Sequence, residues 1–144
     1  MRVLIFFLFI ATTVVGQGKH NNEIVKFVES HIGQKVGGGV CYELFEGALR
    51  TYDTITPVDS VPRWTVTKQK YVIPGDVVLI DGIYSDGEEI SHLAIVYKIE
   101  DGKIFIANQN VGVDDLDGSI VVIEDLGKVK KEFTQIKIEF VRVD

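Results

Sequence analysis

Ser91-His92-Leu93-Ala94-Ile95-Val96-Tyr97-Lys98-Ile99, then Asp101-Gly102, then Ile104-Phe105-Ile106-Ala107-Asn108, reads as two strands joined by a tight turn. Working outward, Pro74-Gly75-Asp76 is a turn signal that leads into the continuous apolar run Val77–Ile80, a strand of the buried kind. On the other side, the apolar runs Ile120–Ile123 and Ile136–Val143 read as further strands. Upstream the period changes. Ile24, Val25, Phe27, Val28 and Ile32 repeat at helical spacing, with Asn21 or Asn22 to cap the helix and Gly33 to end it. The order is helix, helix, long loop and then an antiparallel meander of about five strands, which is an α+β domain with its helices segregated from the sheet.

The second helix carries the chemistry. Cys41, Leu44, Phe45, Ala48, Leu49 and Tyr52 form one apolar stripe, and Cys41 is its first residue. A helix N-terminus has unpaired backbone N–H groups and about half a positive charge, so a thiolate placed there is favoured. Gly37-Gly38-Gly39 immediately before it puts no side chains in the way of a substrate backbone. Cys41 is the only cysteine in the protein.

With 144 residues, 46% of them hydrophobic and 25% charged, the chain suits one globular domain. Met1–Gly16 reads as a signal peptide: Arg2 is the positive start, Val3–Ile10 the apolar segment, and Val14-Val15-Gly16 the approach to a cut. The mature domain is then 17–144, secreted or periplasmic, with no membrane span. Loss of Arg2 takes the net charge from −6 to −7, which disfavours nucleic acid and anionic lipid as partners. A lone cysteine makes no internal disulfide, and an unpaired thiol in an oxidising compartment points to reactivity.

A nucleophilic cysteine needs a base, and the base needs a third group to fix its tautomer. His92, at the start of a strand, is the candidate base, whereas His31 in the last turn of the first helix suits the helix dipole and His20 carries no signal. The third group comes from the next strand, and the turn decides which residue it is. A two-residue turn at Asp101-Gly102 places Phe105, Ala107 and Gln109 on the face of His92. A three-residue turn places Ile106, Asn108 and Asn110 there, and a bulge reverses either answer. Asp114, Asp115 and Asp117 do not have the spacing of a calcium loop. No metal or other cofactor is expected.

Gly39-Val40-Cys41-Tyr42-Glu43-Leu44 with Ala48-Leu49, Pro74-Gly75-Asp76-Val77-Val78, His92-Leu93-Ala94-Ile95-Val96 and Asn108-Gln109-Asn110-Val111 together resemble the successive motifs of papain-like cysteine hydrolases of the CHAP and NlpC type. The resemblance spans Ile24 to the C-terminus. It implies a papain-like fold and a cysteine peptidase or amidase acting on peptides, commonly those of bacterial peptidoglycan. By the same resemblance Cys41, His92 and Asn108 are the catalytic residues. Asn108 departs from the CHAP pattern, where Glu usually stands and Asn follows two residues later, the position here of Asn110. Asn can accept the imidazole N–H but stabilises an imidazolium less than a carboxylate does.

Tyr42, Trp64 and Asn110 are the candidate substrate-binding residues: Tyr42 as a cleft wall beside the nucleophile, Trp64 as a cleft wall or as packing for the long loop 53–70. The expected function is a secreted amidohydrolase or peptidase, monomeric, with a Cys-His-Asn site. The alternatives are a binding module of the same fold with weak or no catalysis, and an acyltransferase that resolves the acyl-enzyme with an amine.

Overall fold

The computed structural model describes residues 20–53, 64–110 and 119–143; the expected signal peptide, the middle of the long loop and the acidic loop after Val111 lie outside them. Helix α1 is Asn21–His31 and α2 is Cys41–Asp53. The strands are β1 Trp64–Thr67, β2 Val77–Tyr84, β3 Glu89–Glu100, β4 Lys103–Asn108 and β5 Val122–Asp125. A single helical turn, α3 Leu126–Val129, then precedes β6 Phe133–Val143. Among the described residues no helix is long and apolar enough to cross a membrane.

All six strands join one antiparallel sheet in the order β1-β6-β2-β3-β4-β5. This corrects the expected papain-like α+β arrangement with about five strands in a meander. The described chain is dominated by a six-stranded sheet, with two helices of 11 and 13 residues and one further turn. Only β2 to β5 run as a meander, while β6 returns to lie between β2 and β1. The extra strand is β1, inside what reads as surface loop. Three of its four residues are exposed, so no buried face imposes a period-2 pattern on its sequence.

The sheet is apolar on both sides, which is why its strands read as continuous runs rather than alternations. One side packs Ile95 and Ala107 against Ile24 and Val28 of α1 and Leu44 and Ala48 of α2. The other gathers Val78, Ile80, Ala94, Val96, Ile106 and Phe140 with Leu126 and Val129. Gly47 lets the two helices close up, because a Cβ there would lie 2.6 Å from the Phe27 ring.

A buried ion pair ties β6 to the turn before β2. Arg142 of β6 donates from Nε to Asp76 Oδ1 and from Nη2 to Oδ2, both at 2.9 Å, and Asp76 is fully buried. The Ile73 N–H and the Asn21 side-chain amide complete the cradle. Asn21 is therefore not the helix cap; it is the first helical residue and donates to the Pro74 carbonyl and Asp76. Gly75 has φ +90, and a Cβ there would meet the Asn21 backbone at 2.5 Å, so this turn can seat against α1 only as glycine.

Candidate active site

The loop into α2 is shaped for glycine. Gly37 has φ +59, and a Cβ on it would sit 2.7 Å from the Glu43 carboxyl carbon. The room the glycines leave is thus taken by Glu43 of their own helix. Its Oε2 accepts from the Val40 N–H at 3.2 Å and the Glu43 N–H donates to the Val40 carbonyl, so a side chain three residues into the helix closes its first turn. Cys41 follows as the first helical residue, half-buried.

The sulfur lies where β4 has run out. The last β3–β4 pair is Ile95 with Ala107, and two residues back along that open edge the Leu93 N–H meets the Cys41 sulfur. The neighbouring His92 side chain hydrogen-bonds the same sulfur. That bond is the largest of several effects on the thiol. Burial opposes it, but the Leu93 N–H, the charge of His92 and the Tyr42 N–H act with it, and the thiol is held below its ordinary pKa.

His92 is not at the very start of its strand, because β3 begins at Glu89 and pairs His92 with Ile80 of β2. Its flank is open because β4 does not reach it. His92 Nε2 donates to Asn108 Oδ1 at 3.1 Å, which leaves Nδ1 as the nitrogen for the thiol. The register explains how Asn108 arrives. The hairpin has the two-residue Asp101-Gly102 turn, with Glu100 opposite Lys103 and Lys98 opposite Phe105. A bulge at Tyr97 then shifts the pairing, so that Val96 faces Ile106. Past the bulge, even-numbered residues of β3 and β4 share a side, and Asn108 falls on the side of His92.

Gln109 turns the opposite way and holds the other partner. Its Oε1 accepts from the Val36 N–H at 2.8 Å, and its Nε2 donates to the carbonyls of Val36 at 2.9 Å and Val40 at 3.0 Å. Two successive residues thus hold the two sides of the site: Asn108 the imidazole, Gln109 the loop that presents the sulfur. Sequence reasoning did not single out Glu124, which accepts from Asn108 Nδ2 at 2.7 Å. Its one sequence signal is a carboxylate that continues the apolar run Val121-Val122-Ile123 with no turn residue between.

Cys41, His92, Asn108 and Asn110 line one cavity of about 800 Å³. Five carboxylates, Asp86, Glu88, Glu89, Glu124 and Glu132, share its wall, and no lysine or arginine stands among the described lining residues. Asn110 has φ +62 and accepts from the Ser119 hydroxyl at 3.3 Å. Tyr42 and Trp64 are exposed by 52% and 49% and are not among the lining residues. Trp64 sits on the edge strand β1 against the Phe45 ring, 5.2 Å between centroids. Among the described residues no group of three or more His, Cys, Asp or Glu is placed to hold a metal ion.

No protein-family model and no curated protein matches the chain. Among solved structures the chain is similar to "The crystal structure of Ly7917", with 16% sequence identity over 85% of this chain and a TM-score of 0.57. It is similar to the same protein "with the hydrolyzing product of MDP", also at 16% identity over 85% of this chain, with a TM-score of 0.56. In both cases the match spans 62% of the Ly7917 chain. The likeness is one of fold.

Proposed function

We propose that the protein is an exported, cysteine-dependent amidohydrolase or peptidase that cleaves amide bonds in peptidoglycan peptides. The observation that carries this reading is the half-buried thiol hydrogen-bonded to an imidazole whose other nitrogen is held by an amide oxygen, all three in one open cavity. A cysteine kept for packing needs neither the imidazole nor the lowered pKa. The motif resemblance to CHAP and NlpC hydrolases supports the same chemistry, and Ly7917, similar in fold, is described with a hydrolysis product of MDP.

The reaction runs in two halves. The Cys41 thiolate attacks the amide carbonyl carbon, and the Cys41 backbone N–H at the head of α2 helps hold the developing oxyanion. The C–N bond breaks as the His92 imidazolium gives its proton to the leaving amine, and a thioester remains on Cys41. Water then adds to the thioester with its proton going to His92, and the acid product and thiolate separate. Asn108 holds the imidazole through Nε2 so that Nδ1 faces the sulfur in both halves. The carboxylates around the cavity favour substrates that carry ammonium groups near the scissile bond and disfavour anionic ones.

Digestion of purified peptidoglycan by the mature domain, with identification of the released termini, tests the proposal. It should yield new amino and carboxyl termini at one kind of amide bond, and Cys41→Ala should yield none. Equal release by Cys41→Ala would end the proposal.

A further inference from the structure

Asn108 brings no charge, and a primary amide can face an imidazole with either its oxygen or its nitrogen. Only the oxygen can accept the Nε2 proton. If the nitrogen faced the ring, Nε2 would have to be the acceptor and Nδ1 would carry the proton, which leaves no lone pair for the thiol. A second partner must therefore select the amide orientation.

We infer that Glu124 is that partner, a positioning residue that acts on His92 through Asn108. Its Oε2 lies 2.7 Å from Asn108 Nδ2, and a carboxylate, which only accepts, fixes the NH2 group on its side and the oxygen on the side of His92. Strand pairing makes the contact. Glu124 is opposite Ile106 and Asn108 is opposite Val122, so Glu124 and Asn108 are diagonal neighbours, a separation that long side chains bridge. Asn108 is almost fully buried, and so the amide has little water to turn toward. Of the five carboxylates on the cavity wall, Glu124 is the one bonded to Asn108 among the described residues. The full order is Cys41, His92, Asn108, Glu124, drawn from α2, β3, β4 and β5.

This inference rests on the proposed Cys41–His92 site, but its test needs no substrate. The rate of Cys41 alkylation by iodoacetamide is followed against pH in the intact protein, in Glu124→Gln, which keeps an acceptor, and in Glu124→Met, which has similar length and none. The Met variant should move the midpoint upward by about half a pH unit or more, because a loosened imidazole supports the thiolate less. The Gln variant should stay near the parent. In an Asn108→Ala background, Glu124→Met should bring no further shift. Melting temperatures confirm that each variant is folded, and Glu124→Ala replaces the Met variant if that one is not. A Met profile superimposed on the parent, a Gln variant as impaired as Met, or an undiminished shift in the Asn108→Ala background would each overturn the inference. Where hydrolysis is measurable, the Met variant should lose roughly tenfold to a hundredfold in kcat, the range for partners that orient an active-site ligand. If the protein hydrolyses nothing while the alkylation pattern holds, the proposed function falls and the role of Glu124 stands.

Discussion

A single imidazole separates Cys41 from an inert packing cysteine. Its hydrogen bond to the sulfur is the largest effect that holds the thiol below its ordinary pKa. A group with a lowered pKa is ionised over a wider range, so alkylation of Cys41 should begin to rise at lower pH than for a free thiol. His92→Ala removes both the bond and the charge, and its profile should move up toward the ordinary thiol value. An unchanged profile in His92→Ala would show that the helix terminus and backbone N–H groups suffice. At this scale the sequence was most informative about residue type. It offered one cysteine and three histidines, of which His31 had a plain structural reading and His20 carried no signal. His31 indeed hydrogen-bonds the Phe27 carbonyl and stacks on its ring. What it could not decide was the parity between His92 and Asn108. The bulge at Tyr97 decides that, and neither the turn residues nor the apolar pattern of a strand buried on both sides marks where a bulge falls.

Elements hold these residues in place through a few buried polar ties. Gln109 connects the end of β4 to the loop before α2 by three hydrogen bonds and is itself fully buried. Gln109→Leu should strand the Val36 and Val40 backbone groups and lower stability by about 1–3 kcal/mol. Chemical denaturation measures this, and a loss below a few tenths would show that the loop holds itself. The Asp76–Arg142 pair fastens β6 to the turn before β2 and to α1. Asp76→Ala leaves a guanidinium largely buried without its carboxylate and should cost about 3–5 kcal/mol, a fall in melting temperature of roughly 10 °C or more. A fall of a degree or two would mean that the pair is replaceable. The helices were legible from their 3.6 period: α2 runs Cys41–Asp53, where the stripe beginning at Cys41 places it. The short edge strand β1 and the place of β6 between β1 and β2 were not, because one has no buried face and the other is set by pairing across long loops.

On the scale of the whole molecule the charge is uneven in a useful way. The protein is acidic overall, and five of its carboxylates face the cavity that holds the thiol. A substrate bearing a free ammonium group should therefore be drawn in, with kcat/KM falling roughly threefold to tenfold as salt rises from about 50 to 500 mM. Acetylating that amine should remove most of the salt dependence, and a salt-independent rate for the unmodified substrate would exclude electrostatic selection. The acidic total was plain in the composition. Its gathering around one cavity depends on the β2–β3 turn, the start of β3, β5 and the segment before β6 lining the same space, which the composition does not encode.

The central claim is that Cys41 forms and releases an acyl-enzyme. The most direct measurement is intact-mass spectrometry of the protein acid-quenched soon after mixing with a synthetic stem-type peptide. A mass gain equal to the acyl half of the peptide, located on Cys41 and discharged by hydroxylamine, is the predicted result. Cleaved peptide with Cys41 never modified, or peptide left intact by a folded protein, would contradict it.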